Sequence, residues 1–381
     1  MTPPPLSLYV HLPWCVRKCP YCDFNSHAAG VETPFEDYTR LLLRDLEFEL
    51  PLVWGRPVQS VFFGGGTPSL FSAAQFERLI SGIRSRLSLA PGAEITLEAN
   101  PGTVEHDRFA SYRDAGINRV SLGVQSFDDP CLARIGRIHG RAEVERALEA
   151  IGAAAFDSIN IDLMYGLPGQ SVETALADVE AAVAFGPEHL SHYQLTIEPN
   201  TAFHADPPSL PGEEAAAEMQ ERCAHALQDA GFRQYEISAW SRPGGECRHN
   251  LNYWRYGDYL GIGAGAHGKI TLASENEVRR RIRRRGPRDW MRGVEDGAPL
   301  SEERALPPAE RIFEYFLNQS RLRDGVDASR FTDRTGLDWE AVAGRVETAV
   351  SKGLWRREGD RFVPTSLGWR FVNDIQALFL P

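Results

Sequence analysis

No run of 18 consecutive apolar residues occurs in these 381 residues, so a membrane-spanning helix is excluded. The opening MTPPPLSLYV lacks the basic-then-apolar order of a secretory signal, which predicts a protein of the cytosol. Positive charge is short: 41 Lys and Arg stand against 52 Asp and Glu, a net charge of −11, and a general nucleic-acid binder needs the opposite balance. Hydrophobic residues at 43% beside 24% charged are the proportions of a globular chain and exclude disorder. Cysteine is scarce, six in all, and no second C-x-x-C pair exists to complete a closed four-ligand zinc site.

Against that scarcity, three of the six cysteines fall within CVRKCPYC, residues 15–22. In a reducing compartment clustered thiols bind metal more often than they form disulfides. The spacing C-x3-C-x2-C brings Cys15, Cys19 and Cys22 to one inorganic site from one loop. A 4Fe-4S cluster with one iron left open suits three thiolates, and zinc or redox thiols are the alternatives.

Strand-type and helix-type runs alternate over the first 240 residues. LSLYV (6–10), SVFFG (60–64), EITLEA (94–99), RVSLGV (119–124), SINIDLM (158–164), HLSHYQLTI (189–197) and RQYEISAW (233–240) read as strands. Helical periodicity fills the gaps, as in 37–50, 73–87, 143–154 and 215–231. Such alternation predicts an α/β fold with right-handed crossovers and a parallel sheet, a partial β/α barrel of about six βα units. Barrel chemistry gathers at the C-terminal ends of the strands. There stand His11 and the cysteine loop, Gly64–Gly65–Gly66, Glu98 with Asn100, Gln125, Asp162 with Tyr165, and Glu198. Taken singly, Glu98 or Asp162 is an ordinary strand-end or capping acid and GGGTP (64–68) an ordinary turn.

Tyr21 stands just before the last cysteine, and the triad follows the first strand. This arrangement resembles the signature of the radical S-adenosylmethionine (SAM) superfamily. The run YVHLPWC, FFGGGTPSL, EANPGT, SLGVQSF, DLMYGLPGQ and YEISAW resembles its coproporphyrinogen-dehydrogenase-like branch over nearly the whole chain. The resemblance implies that Cys15, Cys19 and Cys22 hold a 4Fe-4S cluster and that Tyr9 lies beside it. It places Gly65, Gly66 and Thr67 at the SAM amino group, Glu98 and Arg137 near the SAM amino-acid part, and Gln125 and Asp162 near the ribose.

The branch's dehydrogenases carry a further cysteine two places after the third, where this chain has Phe24. That departure and HNLNYW (249–254) are similar instead to the HemW-type heme chaperones. Their motif implies heme contact through His249, with Tyr253 and Trp254 offering flat faces to a porphyrin, although a lone His beside aromatics is more often a buried structural residue. The resemblance implies a heme chaperone that binds heme and a SAM-ligated cluster and passes heme to apo-hemoproteins of the respiratory chain. The competing reading is a radical SAM enzyme acting on a porphyrin, by oxidative decarboxylation, methylation or ring opening. A homodimer is a further expectation.

Three domains are expected: the barrel (1–240), a connecting and closing segment (241–300), and a winged-helix-like domain (301–381). The last holds 12 Lys and Arg against 13 Asp and Glu, a net of −1, and reads as a packing module without nucleic-acid contact. RRRIRRRGPR (279–288), with seven arginines, reads as a solvated hairpin or as a contact for carboxylates, an acidic partner or, peripherally, an anionic membrane. GIGAGAHG (261–268) lacks the strand-then-helix setting of a dinucleotide site.

Overall fold

The computed structural model of the chain describes residues 1–102 and 108–381; Thr103 of the EANPGT segment lies outside the described residues. Among the described residues, twelve strands form one sheet. In chain order they are β1 (Leu6–Leu12), β2 (Val58–Gly65), β3 (Leu89–Ala99), β4 (Arg119–Gln125), β5 (Ser158–Tyr165), β6 (His189–Gln194), β7 (Arg233–Glu236), β8 (Ala239–Ser241), β9 (Asp258–Ile262), β10 (His267–Leu272), β11 (Glu277–Arg283) and β12 (Leu300–Ala305). Their spatial order is β12-β11-β10-β9-β1-β2-β3-β4-β5-β6-β8-β7. The stretch from β9 through β6 is parallel, and the strands added at either side are antiparallel.

The parallel portion forms because each early strand is followed by a helix with one apolar stripe. Phe35–Glu47 buries Tyr38, Leu41, Leu42 and Leu46, neighbours at helical spacing. Every residue of β4 is buried, as expected of a strand covered on both faces. Helix Ala73–Arg84 starts at a capping box: Ser72 Oγ accepts from the Gln75 amide at 3.3 Å while Gln75 Oε1 accepts from the Ser72 amide at 2.8 Å. Ser72→Ala is expected to cost about 1 kcal/mol, read as a lower urea midpoint at unchanged slope.

Residues 241–300, expected as a connecting and closing segment, supply β9, β10 and β11 and a short helix, Arg248–Trp254; the sheet itself runs past 300 to Ala305. The stretch 233–240, expected as one strand, turns back on itself as the β7–β8 pair.

The arginine run divides: Arg279, Arg280, Arg281 and Arg283 lie on β11 and pair with acids of the fold, while Arg285 and Arg288 are exposed. Arg283 is fully buried and binds Asp45 at 3.0 Å and Glu49 at 2.5 Å. Arg281 meets Glu49 and Glu303, Arg280 meets Glu314, and Arg279 reaches Glu275, Glu277 and Glu303. Alternation along β11 aims Arg281 and Arg283 at one face, where the helix Phe35–Glu47 and the turn after it present Asp45 and Glu49. Among the described residues no helix is long and apolar enough to cross a membrane.

The C-terminal part has its own core around Phe316, Phe331, Trp355 and Phe379. Helices Pro308–Gln319, Ala328–Thr335 and Glu340–Ser351 pack on a three-stranded sheet whose hairpin joins Trp355–Glu358 to Arg361–Pro364. It docks on the edge of β7: the Ile237 amide donates to Arg321 O at 3.1 Å and the Arg323 amide to Tyr235 O at 3.0 Å. An otherwise open strand edge is thereby covered.

Candidate functional site

A cavity of about 470 Å³ opens at the C-terminal ends of β1 through β6, where a parallel barrel concentrates its loops. Its size lies in the range of small-molecule and cofactor sites. Cys15, Cys19 and Cys22 all line it as free thiols. Gly65, Gly66 and Thr67 line a second wall, and Glu98, Gln125, Arg137 and Asp162 the rest.

The glycine segment leans against the cysteine-bearing one. The Gly66 amide donates to Leu12 O at 2.8 Å and the Thr67 amide to Trp14 O at 2.7 Å. A Cβ at Gly65, whose φ is +116°, would overlap the His11 ring, and one at Gly66 would overlap the Trp14 backbone. Glycine is required at both by close approach. His11 in turn braces the loop, its Nε2 2.9 Å from Asn25 O and its Nδ1 3.0 Å from the Tyr9 hydroxyl.

Side chains around the thiols are placed to donate to sulfur. Arg137 Nη1 donates to Cys19 Sγ at 3.6 Å, and the Tyr21 side chain lies beside it on the cavity wall. Burial raises the Cys15 and Cys22 thiols, opposed in part at both by the nearby Lys18 charge. Ser26 Oγ and Arg137 Nε are buried without a hydrogen-bond partner among the described residues. No three His, Cys, Asp or Glu side chains among the described residues are grouped around a point as donors of one metal ion are.

Glu98 accepts from the Gly65 amide at 3.1 Å, and Asp162 accepts from Asn160 at 2.7 Å and Ser121 at 3.4 Å. Burial raises both carboxyls. Glu98, with Asp162 facing it, is pushed up to about 7. Between its ordinary value of 4.5 and about 7 the folded protein keeps a proton on Glu98 that the unfolded chain has lost, so this group's contribution to stability falls as pH rises through that window. Glu98→Gln is expected to flatten that part of the profile, measured as urea midpoints between pH 5 and 8 without added SAM.

Gln125 is held at a left-handed φ of +73° and accepts at Oε1 from the Tyr193 hydroxyl at 2.8 Å. Strained backbone held by its surroundings concentrates at functional positions.

Three expected site residues stand apart from this cavity wall. Tyr9, expected beside the cluster, lies one pleat step below His11, its ring stacked on Phe62 at 6.3 Å. His249 sits on the helix Arg248–Trp254, its ring 4.9 Å from Phe62 and 6.4 Å from Tyr9, with Nδ1 3.1 Å from Ser60 Oγ. Burial pushes its imidazole down to about 4, so it is neutral near pH 7. Tyr253, one helical turn on, packs on Trp254 and Tyr259. Glu94 caps the helix start, accepting from the Arg248 and His249 amides, each at 3.0 Å.

The reading of single residues passed over Tyr193 and Arg321, which line the cavity together with Trp254 of the HNLNYW segment. Tyr193 could have been found, since it alternates with His189 and Ser191 on one face of β6. Arg321 left no local signal. It reaches in from the C-terminal part, lies over Trp254 at 4.4 Å and binds Glu236 at 3.1 Å.

Residues 9–182 match the radical SAM superfamily and residues 306–371 the HemN C-terminal domain. The heme chaperone HemW of Escherichia coli (strain K12) is 47% identical, over 99% of this chain and 98% of that protein. The heme chaperone HemW of Haemophilus influenzae is 46% identical over the same shares. Among solved structures, the coproporphyrinogen III oxidase HemN of Escherichia coli superposes with a TM-score of 0.83 over 99% of this chain and 90% of its own, at 23% identity, a likeness of fold. With nearly full-length relatives at such identity and a barrel that gathers the three cysteines, the glycine segment and the strand-end acids in one cavity, the chain belongs to the HemW family of the radical SAM superfamily.

Proposed function

We propose that this protein is a heme chaperone, binding heme and releasing it to apo-hemoproteins, among them those of the respiratory chain. The observation that carries the reading is the nearly full-length similarity to proteins named heme chaperone HemW. Membership of the superfamily implies a 4Fe-4S cluster and SAM, and the cavity suits both. Three free thiols border it, Ser26 Oγ and Arg137 Nε beside them lack partners, and two carboxylates face inward, fitted to a cationic, hydroxyl-bearing ligand.

In this reading Cys15, Cys19 and Cys22 hold the cluster and the Gly65–Thr67 backbone and Glu98 bind the SAM amino group. Gln125 and Asp162 take the ribose hydroxyls. When bound, cluster and SAM supply one-electron chemistry. The chain's own part is to enclose them: Arg137 ties β4 to Asn100, and Thr67 to Asn100 closes the rim at 2.9 Å.

Heme is the cargo. His249 has the neutral imidazole that iron needs, and Tyr253 lies on the same helix face four residues on. In the present conformation the His249 ring is packed on Phe62 and bonded to Ser60. Axial ligation therefore asks the helix Arg248–Trp254 to move off the barrel, against the cap from Glu94.

The test is anaerobic reconstitution with SAM and reductant, followed by heme binding and mass spectrometry of the tetrapyrrole. Heme is expected to co-elute unchanged. Loss of an outer-shell partner of a metal ligand costs ~10–100-fold in affinity, so His249→Ala, which removes the ligand itself, is expected to lose at least that. Decarboxylated, methylated or opened tetrapyrrole over many turnovers would make the protein an enzyme instead.

A further inference from the structure

The Arg137 guanidinium does more than border the cavity. It is held on two sides at once: Nη2 donates to Asn100 Oδ1 at 2.7 Å and to the carbonyl of Gly123, which leaves Nη1 directed at Cys19 Sγ, 3.6 Å away. Both acceptors come from the ends of parallel strands, Asn100 just past β3 and Gly123 within β4, so the guanidinium plane is set by the barrel and not by the loop it touches. Asn100 is itself anchored by its amide on Thr67. A half-buried cation delivered in this way to one particular cysteine is an N–H···S donor whose position does not depend on any bound ligand.

We propose that Arg137 is a positioning residue for the cluster: its N–H···S bond to Cys19 raises the reduction potential of the cluster and makes the Cys19 corner electronically distinct from the other two. This rests on the reading that a 4Fe-4S cluster occupies the three cysteines. Hydrogen bonds to the sulfurs and net charge set the potentials of such clusters, and the physical reason is direct. Reduction adds an electron to a site already rich in negative thiolate charge. A fixed positive donor at sulfur stabilises the reduced form more than the oxidised one. Lys18 adds positive charge near Cys15 and Cys22 but bonds to the Phe24 carbonyl, and among the described residues no charged side chain donates to either sulfur. The charged contact at Cys19 is therefore where a substitution has the most leverage. Whatever Arg137 contributes to SAM, this contact exists before SAM arrives.

The experiment compares wild type, Arg137→Gln and Arg137→Lys, full-length and reconstituted without SAM. Iron and sulfide are measured first, then the one-electron midpoint by redox titration followed by electron paramagnetic resonance. Arg137→Gln is expected to make reduction about tenfold less favourable, a shift of ~59 mV to lower potential for a one-electron couple. Arg137→Lys, which keeps the charge without the fixed fork, is expected to recover part of it. Hyperfine coupling from the exchangeable Nη1 proton, present in the reduced wild type and removed by deuterated buffer, is expected to be absent in both variants.

A full cluster in Arg137→Gln with an unmoved midpoint would overturn the proposal. Failure of the wild type to assemble a cluster would sink the reading beneath it instead. Should Arg137→Gln take up little iron, the proton coupling in wild type decides: an exchangeable proton on the Cys19 side supports the contact, and its absence refutes it.

Discussion

Alanine at Cys15, Cys19 or Cys22 is expected to abolish bound iron and sulfide after anaerobic reconstitution, while Cys131→Ala, Cys223→Ala and Cys247→Ala leave them unchanged. Three thiolates on one loop leave no spare ligand, and the other cysteines cannot substitute. Cys131 packs with Ile135 and Met164, Cys223 is in the main core, and Cys247 is buried beside Glu94 near the opposite end of the barrel. Metal-ligand bonds couple to local order, so the loop is expected to become protease-sensitive in the three variants. The barrel itself is held elsewhere, by the sheet and the core that runs from Leu6 to Val294, and the far-ultraviolet circular dichroism is expected to change little. A cluster that persists in any of the three single variants would remove these cysteines from the proposed site.

The second large effect concerns stability. Arg283→Ala is expected to destabilise the protein by about 3–5 kcal/mol, the cost of leaving buried charges without their partner. Arg283 and Asp45 are fully inaccessible and Glu49 nearly so. Asp45 also accepts from the Trp290 indole at 3.0 Å and the Gly263 amide at 2.9 Å, so the carboxylate cannot turn to solvent when the guanidinium is gone. The knot ties the helix Phe35–Glu47 to β11 and to the turn after β9, elements far apart in the chain. Urea denaturation gives the number. Arg283→Met with Asp45→Asn tests its origin, because removing charge from both sides is expected to recover a good part of the loss. A single-variant cost below 1 kcal/mol would mean that water reaches the carboxylates.

The arginine run shows why such an interaction could not be read from the chain. Seven arginines in ten residues are equally compatible with a basic face and with a strand whose partners lie elsewhere. The decision belongs to Asp45, Glu49, Glu303 and Glu314, which tertiary folding brings to them. The same holds for β9 to β12. Gly- and Tyr-rich sequence gives no alternation to identify a strand, yet Asp258–Ile262 pairs in parallel with Leu6–Val10 across some 250 residues. It does so because the edge of β1 is otherwise unpaired.

What the sequence determined by itself is the part set by local periodicity and close spacing. Apolar strands at regular intervals, helices with one buried stripe and polar residues at the strand ends dictate a parallel barrel with one chemical mouth. The C-x3-C-x2-C loop and the Gly64–Gly66 turn fall at that mouth because they directly follow β1 and within β2. What only the tertiary structure decided is which distant groups meet there. It set Arg137 on the Cys19 sulfur, brought Arg321 into the cavity from the C-terminal part, and put His249 against Phe62 and Ser60 beneath the cavity. A side chain's partners across the fold depend on register, crossover and domain docking, and none of these leaves a mark on the residues beside it in the chain.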